Sequence, residues 1–416
     1  MMLNIKKLVL TVLFIGYGLA FGQVKMNLEQ IFVEIKEKNL GLMAFDSRIQ
    51  SKDAKVTGAG AWMAPMVGAG TFMSPYPFQG VADNNNRGAL MLSAEQDIPN
   101  PAKIKAKKEY LETQSLTDVF GKSEQLNQYK ARARQLYYGL LIDHRKIRYQ
   151  EENKQIMETI KKLASIRYPF NKGGLNQVFK AEGRVYEAEN MILMTEASIR
   201  SKKIALNALM NRSANMELEI DTTFRVDFVP KADLDTAYFA GTRSDILHME
   251  HDIHAMEKNI QQMRQQAKPD FRVRFDHMSN YSAMMPRQFT IMGMLSIPIV
   301  PWSSKMYKSE IRSMNFEREA MRNQKAAMVT EMLGMSRTME NDLAVMQQQL
   351  ANYENKIVPS LQKYLKVSML SYQENKSDLN TVIDSWEALN MSQMNYLDQL
   401  QKFYQMIVEY EKNIER

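Results

Sequence analysis

Histidine and methionine side chains are the residues of this sequence that could bind a metal ion. His248, His251 and His254 lie three positions apart, so successive pairs could share a helix face and bind Zn²⁺ or Cu²⁺. Thioethers favour the soft ions Cu(I) and Ag(I), and one stretch concentrates them: Met278, Met284, Met285, Met292 and Met294. Two interpretations stay open, namely a metal site, or solvated histidines and methionines that fill gaps in a core.

No pattern typical of a catalytic site accompanies these residues. The sequence has no cysteine, which excludes disulfides, thiolate metal sites and cysteine nucleophiles. It has neither a His-Glu-x-x-His motif nor a phosphate-binding loop, and its closely spaced glycines lack the third glycine of a dinucleotide-binding turn. We therefore predict that the protein is not an enzyme and needs no cofactor.

Composition and charge indicate a folded protein without a nucleic-acid partner. Of 416 residues, 45% are hydrophobic and 9% aromatic, which argues against disorder. The formal net charge is +7, but the basic residues are scattered among acids. That distribution favours solvated helix faces over a nucleic-acid site, so we predict no nucleic-acid partner.

The beginning of the chain resembles a secretory signal. Lys6 and Lys7 precede an apolar run from Leu8 to Leu19, and Ala20 and Gly22 supply small residues at the cleavage-reading positions. The alternative is a short membrane anchor, but this run is too short to span ~30 Å of hydrocarbon. We predict that residues 1–22 are a signal peptide, and no later run reaches ~18 apolar residues.

A stretch from Trp302 to Leu370 is typical of a very long helix. Its methionines recur every seven positions, which marks one apolar face that packs along another helix: Met314, Met321, Met328 and Met335. At 1.5 Å per residue this helix would be roughly 100 Å long. Because their lengths add up to this rod, we expect helices 176–212 and 236–267 to stack end to end. We likewise expect the N-terminal helix to stack on the C-terminal one.

The order of elements occurs twice along the chain. Pro65 and Pro269, Leu175 and Leu379, and Tyr168 and Tyr372 form pairs, each with an offset of 204 positions. Each pair falls at a corresponding boundary, which indicates an internal duplication. We predict a first repeat at 23–212, an equatorial joint at 213–235 and a second repeat at 236–416.

Each predicted repeat contains two strand-like runs, at about 66–73 and 89–98 and at about 271–278 and 288–297. Phe271, Val273 and Phe275 alternate with Arg272 and Arg274, so one face is apolar and the other charged. This suits a membrane β-barrel, although a half-buried soluble sheet shows the same alternation. Four strands cannot close a barrel, so several chains must contribute. The predicted fold class is mainly α with a small β part, in which long antiparallel coiled-coil helices accompany four transmembrane strands.

Taken together, the chain resembles the TolC-like outer-membrane efflux family over essentially all of its mature length. The resemblance is carried by the signal segment, the repeated order of elements, and local matches at Asn39–Pro65, Gln96–Pro99 and Tyr372–Asp384. It implies a homotrimer with a twelve-stranded barrel in the outer membrane of a Gram-negative bacterium and a helical tunnel across the periplasm. It also implies the exit duct of a tripartite pump, with a periplasmic adaptor (membrane fusion) protein and an inner-membrane transporter of the RND type. The methionine content favours the heavy-metal (copper or silver) branch.

The resemblance also assigns site residues. Family members narrow the tunnel mouth with an aspartate pair, and the matching positions here are Thr381 and Asp384, with Lys180 at the place of Asp384 in the first repeat. Asp384 could equally be a surface carboxylate at a helix start. The tips of the helix pairs would contact the adaptor through the following residues: Tyr168, Gly173, Gly174, Leu175, Tyr372, Asp378 and Leu379.

Two other functions stay open beside an efflux duct that passes metal ions or small toxic compounds. One is a secreted structural coiled coil of the envelope, which forms no pore. The other is a soluble periplasmic metal carrier, which is recovered without detergent. Membrane fractionation separates the three.

Overall fold

The computed structural model describes residues 25–77, 79, 87–170, 174–282 and 284–415. Most of these are helical, and a small antiparallel sheet accompanies them, so the predicted class of a mainly α chain with a small β part is confirmed. The predicted signal peptide 1–22 and the predicted tip residue Gly173 lie outside the described residues.

The elements follow one another in an order of helices, strand pair and helices that occurs twice. The helices are α1 (Leu28–Lys38), α2 (Leu40–Gly58), α3 (Pro101–Arg167), α4 (Leu175–Leu209), α5 (Thr236–Thr242), α6 (Ser244–Arg264), α7 (Pro301–Asn352), α8 (Val358–Gln373) and α9 (Leu379–Asn413). The strands are β1 (Met66–Phe72), β2 (Ala89–Ile98), β3 (Phe271–Asn280) and β4 (Gln288–Leu295). Within the described ranges, no helix combines the length and the apolar character of a membrane span.

The sheet has the strand order β1-β2-β3-β4, and every neighbouring pair is antiparallel. Ala94 lies opposite Phe275, which lies opposite Ile291, and residues directly opposite one another share a face. One face is therefore apolar, and its larger side chains are Val67, Leu90, Leu92, Ile98, Phe271, Val273, Phe275, Phe289, Ile291 and Leu295. The opposite face carries the charges Glu95, Asp97, Arg272, Arg274 and Asp276.

The helices form two halves that share α3. In the half next to the sheet, the packing order is α2-α3-α6-α7. In the half next to the helix tips, the order is α4-α3-α9-α8. One side of the chain therefore consists of β1, α2 and α4, and the other consists of β4, α7 and α8. We call these the first edge and the second edge.

The end-to-end stacking of the short helices differs from the prediction. Asn39, between α1 and α2, donates from its side-chain amide to the carbonyl of Leu209 at the end of α4 (2.8 Å). Arg243, at the start of α6, donates to the carbonyl of Asn413 at the end of α9 (2.9 Å). Thus α4 stacks on α2, and α9 stacks on α6. Equal summed lengths did not determine the pairing, because several pairs of these helices have similar sums.

Both of these junctions use an extended residue that breaks a helix. Asn39 has φ −68° and ψ 122°, and Arg243 has φ −74° and ψ 126°. The side-chain oxygen of Asn39 accepts from the amides of Gly41 and Leu42 and so caps α2. The predicted N-terminal helix and the helix predicted at 236–267 are therefore each divided, because the chain turns at the extended residues Asn39 and Arg243.

The rod predicted from Trp302 to Leu370 is also divided. Residues 353–357 form one turn of π-helix between α7 and α8. Pro359 follows after one intervening residue, and a proline inside a helix has no amide hydrogen and clashes with the carbonyl four residues earlier. One inserted residue relieves that clash, so the π turn is the physical consequence of Pro359.

In the described part of the chain, two clusters of buried apolar side chains hold the helices together. The larger lies at the junction of the halves, where Leu218, Ile220 and Leu234 from residues 213–235 join it. Within it Tyr137 donates to the carbonyl of Asp221 (3.2 Å), and burial raises the pKa of Tyr137 to about 12, which keeps its hydroxyl protonated. The smaller cluster lies near the tips and includes Trp386. Full burial of one Val, Leu, Ile, Phe or Met side chain in such a cluster stabilises the fold by about 1.5–3 kcal/mol.

Candidate functional site

The helix tips bring together most of the residues that the sequence predicted for a partner contact. After α3, Tyr168–Phe170 form a single 3₁₀ turn, and Gly174 precedes α4. Tyr168, Phe170, Gly174 and Leu175 are exposed. In contrast, Tyr372 and Leu379 expose only 3% and 1% of their surface and belong to the core cluster near the tips. These two residues therefore position the tip and do not offer contact surface.

A contact that the sequence analysis missed joins the two tips. The guanidinium of Arg167, at the end of α3, lies 4.1 Å from the ring centroid of Tyr372 at the end of α8. The same guanidinium donates to the side chain of Asn375. Since cation–π attraction strengthens as the pair leaves water, burial of Tyr372 favours this contact. Only the offset of 204 between Tyr168 and Tyr372 hinted that the two tips are related.

Asp378 caps α9 and thereby engages one of the predicted constriction residues. Its carboxylate accepts from the Thr381 amide (2.9 Å) and from the Thr381 hydroxyl (2.7 Å). The hydrogen bond from the Thr381 amide, followed by that from its hydroxyl, holds the pKa of Asp378 below its ordinary value. The positive charge of the nearby Lys180 lowers it further. Asp378 is thus an ionised cap, and the Thr381 hydroxyl is directed at it.

Asp384 and Lys180 remain exposed on the tip half of the chain. Each is the sixth residue of its helix, α9 or α4, so the two charges lie at matching helical positions. An ion pair lies about one helical turn farther on, where Arg184 contacts Glu387 at 2.5 Å and links α4 to α9. The tip half of the chain therefore exposes a positive charge, Lys180, and a negative charge, Asp384, at the same distance from the starts of their helices.

The predicted histidine site is not brought together as a metal-binding cluster. His248 contacts Glu124 (Nδ1 to Oε2, 2.9 Å), whereas the ring of His251 stacks on Phe120 at 3.9 Å. Burial, together with the neighbouring His254, lowers the pKa of His251. Among the residues that the structure describes, no group of three or more His, Cys, Asp or Glu side chains could hold a metal ion.

The surroundings of His254 also carry positive charge. The nearby carboxylates of Glu250 and Glu257 form ion pairs with Lys325 and Arg322. His254 lines an open groove of about 710 Å³ together with these side chains. Because the positive side chains of Lys325 and Arg322 already pair with these carboxylates, the groove is unfavourable for a divalent metal ion.

The predicted methionine ligands divide between a loop and a strand. Met284 and Met285 lie in the turn between β3 and β4, and both are exposed. Met292 and Met294 lie in β4 opposite Arg274 and Arg272, so they point to the charged face of the sheet. The four therefore do not form one cluster.

Ion pairs connect the charges of that sheet face. Arg272 contacts Asp97 (2.6 Å) and Glu95 (2.7 Å), and Arg274 contacts Asp276 (2.9 Å). Such pairs, on a face opposite an apolar and largely exposed one, suit a sheet with water on one side and lipid on the other.

Comparison with known proteins identifies the fold. No protein-family model and no curated protein matches the sequence. Solved structures do match: the outer-membrane channel OprN has a TM-score of 0.75 at 13% identity, covering 93% of this chain and 89% of that one. CusC, studied for transmembrane channel formation, has a TM-score of 0.74 at 14% identity, covering 94% and 92%. The MtrE outer-membrane channel of Neisseria gonorrhoeae has 0.72 at 14%, covering 93% and 88%.

These similarities extend over nearly the whole of each chain. The chain therefore has the fold of outer-membrane channels, and the resemblance predicted from the sequence is confirmed for the fold. The heavy-metal branch stays a prediction.

Proposed function

We propose that this chain, which shares the fold of outer-membrane channels, is one subunit of the exit duct of a tripartite efflux system. The duct passes metal ions or small toxic compounds from a periplasmic adaptor and an RND-type inner-membrane transporter to the exterior. The observation that carries this proposal is that the sheet and both helix halves all end at the first edge on one side and at the second edge on the other. A structure open along its whole length on both sides is suited to form part of a wall.

The unpaired strands of the two edges support assembly from several copies. Among the residues that the structure describes, β1 and β4 each pair on one side only. An open sheet edge is not tolerated in lipid, because its amides and carbonyls have no partners there. Pairing β4 of one copy with β1 of the next would satisfy both edges, and three copies give the twelve strands that the resemblance implies.

The helices at the edges carry matching apolar stripes. On α4, at the first edge, Phe179, Tyr186 and Leu193 are exposed and lie seven residues apart. On α8, at the second edge, Tyr364, Val367 and Leu370 are exposed at spacings of three. The spacing of seven is that of a coiled-coil seam, and residues three apart on a helix lie on one face. We infer that the first edge of one copy packs on the second edge of the next, which closes a homotrimer.

The junctions of the helix halves support the predicted duplication. Asn39 and Leu209 form one junction and Arg243 and Asn413 form the other, and each member of the first pair precedes its counterpart by 204 positions. α4 and α9 are both 35 residues long and begin 204 positions apart. We therefore retain the division into a signal peptide 1–22, repeats 23–212 and 236–416, and an equatorial joint 213–235.

The tips provide a surface for the adaptor. Phe170 and Leu175 are exposed apolar residues at the first tip, and exposed aromatic residues favour a protein contact. In this arrangement the sheet lies in the outer membrane with its apolar face in lipid, and the helices extend into the periplasm. The heavy-metal cargo is the narrower part of the proposal.

Cysteine cross-linking tests the assembly directly, because the natural chain contains no cysteine. Tyr186→Cys and Tyr364→Cys in one chain place single thiols on the first and second edges. Treatment of membranes with a short bis-maleimide should give a covalent trimer on a denaturing gel. Tyr186→Cys with Leu193→Cys, both on the first edge, is the matched control and should give none.

Fractionation decides among the alternatives in the same cells. An efflux duct is recovered from the outer membrane and forms pores in planar bilayers. Recovery as a soluble monomer would support a metal carrier, and recovery as an envelope-associated rod without conductance would support a structural coiled coil. Either result contradicts the duct.

A further inference from the structure

The methionines of the sheet all lie on its charged face. They occur once in β1, once in β2, once in β3 and twice in β4, as Met66, Met91, Met278, Met292 and Met294. The strand register places each of them opposite a residue of the charged face and none on the apolar face. The apolar face instead uses Leu, Ile, Val, Phe and Ala.

This segregation is not what hydrophobic packing predicts. If methionine served as a substitute for leucine, it would occur on the apolar face, where leucine occurs. A thioether on a water-facing surface gains little from burial, but it keeps its ability to bind soft ions. Since the chain has no cysteine, thioethers are its only soft sulfur ligands.

Met91 and Met278 are the two sulfur side chains best placed to share one ion. They lie directly opposite one another on β2 and β3. Opposite residues of an antiparallel pair have Cβ atoms about 4.5–5.5 Å apart, and the flexible side chain of methionine lets both sulfur atoms turn toward a common point.

The neighbours of this pair leave room for an ion. On the β1 side Met91 lies opposite Gly70, and a Cβ at Gly70 would meet nothing within 4 Å. On the β4 side Met278 lies opposite Gln288, a neutral residue. The nearest carboxylate on the same face, Asp276, is engaged by Arg274 at 2.9 Å. The site thus offers neutral soft ligands beside a carboxylate that is already paired, which favours a soft monovalent cation over a hard divalent one.

We propose that Met91 and Met278 form a binding site for Cu(I) or Ag(I) on the charged face of the sheet. The exposed Met284 and Met285 lie in the turn that follows β3, at the same end of the sheet as this pair, but outside it. The site deepens the proposed function, since on that function this face lines the barrel and the pair lies near its outer end.

Silver titration of the purified full-length protein tests the site. Ag⁺ serves as the probe because it does not change oxidation state in air. Isothermal titration calorimetry gives the affinity, and NMR of methyl-¹³C-methionine reports which methyl groups shift on binding. Replacing a direct ligand by Met91→Leu or Met278→Leu should weaken binding at least about tenfold, and the double variant should abolish this site.

Three controls keep the result interpretable. Leucine conserves the volume of methionine, so the variants should retain the fold, which circular dichroism verifies. Met194→Leu and Met391→Leu remove exposed methionines of α4 and α9 and should leave the affinity unchanged. Met292→Leu removes a thioether from the same sheet face but outside the pair, and it should also leave this site intact.

The outcomes separate this inference from the proposed function. Unchanged silver affinity in the double variant, or no silver binding by the natural protein, overturns the site even if the protein conducts in bilayers. Loss of binding in the variants supports the site even if the protein forms no pore.

Discussion

Asp384 and Lys180 oppose each other in charge at the same level of the proposed tunnel mouth. Both are exposed, and each is the sixth residue of its helix. In a trimer, three carboxylates alone would attract cations, whereas three ammonium groups beside them would offset that field. The ion preference of the mouth is therefore expected to depend on both residues.

Single substitutions at these positions should change conduction in opposite ways. Asp384→Ala in planar bilayers is expected to raise conductance or weaken block by multivalent cations, and to shift ion selectivity toward anions. Lys180→Ala should shift selectivity toward cations, because the carboxylates lose their counter-charge. Reversal potentials in a salt gradient measure both effects.

A charge on the same helix but farther from the tip serves as the control. Asp398, also on α9, has an exposed side chain near Lys146. Asp398→Ala should leave conductance and reversal potential as in the natural protein. Unchanged values for both Asp384→Ala and Lys180→Ala would show that these charges do not face the ion path.

The exposure of some predicted site residues agrees with the sequence, whereas other features depended on contacts between distant residues. The exposure of Asp384 and Lys180 suits the predicted placement at a mouth. Tyr372 and Leu379 were predicted as tip contacts, but both are buried because α9 packs on α3 and α8. Arg167 was missed because its partner, Tyr372, is far away in sequence and no local pattern joins them.

The junction at Asn39 is the element-scale feature most sensitive to one substitution. Its side chain caps α2 and also satisfies the carbonyl of Leu209 at the end of α4. Asn39→Ala should destabilise the protein by about 2 kcal/mol, since it removes a cap and leaves a partly buried carbonyl unpaired. Thermal unfolding of the detergent-purified protein measures this loss. Asn190→Ala, at an exposed position of α4, is the control and should have little effect.

The two faces of β4 should respond differently to a new positive charge. Ile291 lies on the apolar face and Thr290 on the charged face, one residue apart. Ile291→Arg should destabilise insertion by about 2–4 kcal/mol if the apolar face meets lipid, whereas Thr290→Arg should be tolerated in a water-filled interior.

The amount of heat-resistant trimer in outer-membrane fractions reports this difference. A large loss for Ile291→Arg and little change for Thr290→Arg are expected. Equal tolerance of both substitutions would favour a sheet with no lipid contact, as in the alternative of a soluble sheet.

Elements were predicted better than their arrangement. Alternation of apolar and polar residues indicated four strands, and a small antiparallel sheet is observed because period-two patterns are local. The stacking of α4 on α2 could not be derived from helix lengths, because it depends on contacts such as Asn39 with Leu209. The π turn at 353–357 lies just before Pro359, which in hindsight is the sequence signal for it.

At the scale of the whole molecule, the proposed trimer gives the two edges of each chain different partners. In that proposed arrangement the first edge of one copy contacts the second edge of the next, so the contact is head-to-tail and closes only when the ring is complete. Tyr186→Asp with Leu193→Asp places charges on the first edge while the second edge stays intact. This variant alone should form no heat-resistant trimer, because charges in a coiled-coil seam are poorly tolerated.

A chain with an altered first edge can still bind a normal subunit through its second edge. It should therefore prevent normal subunits from completing a ring. If normal and altered chains are made in equal amounts and mix at random, only about one eighth of triplets contain no altered member. Coexpression should therefore reduce drug or metal tolerance far more than halving the gene dose does. The substitutions would therefore be dominant-negative. The strength of this effect follows from the geometry of a subunit that has two unlike edges.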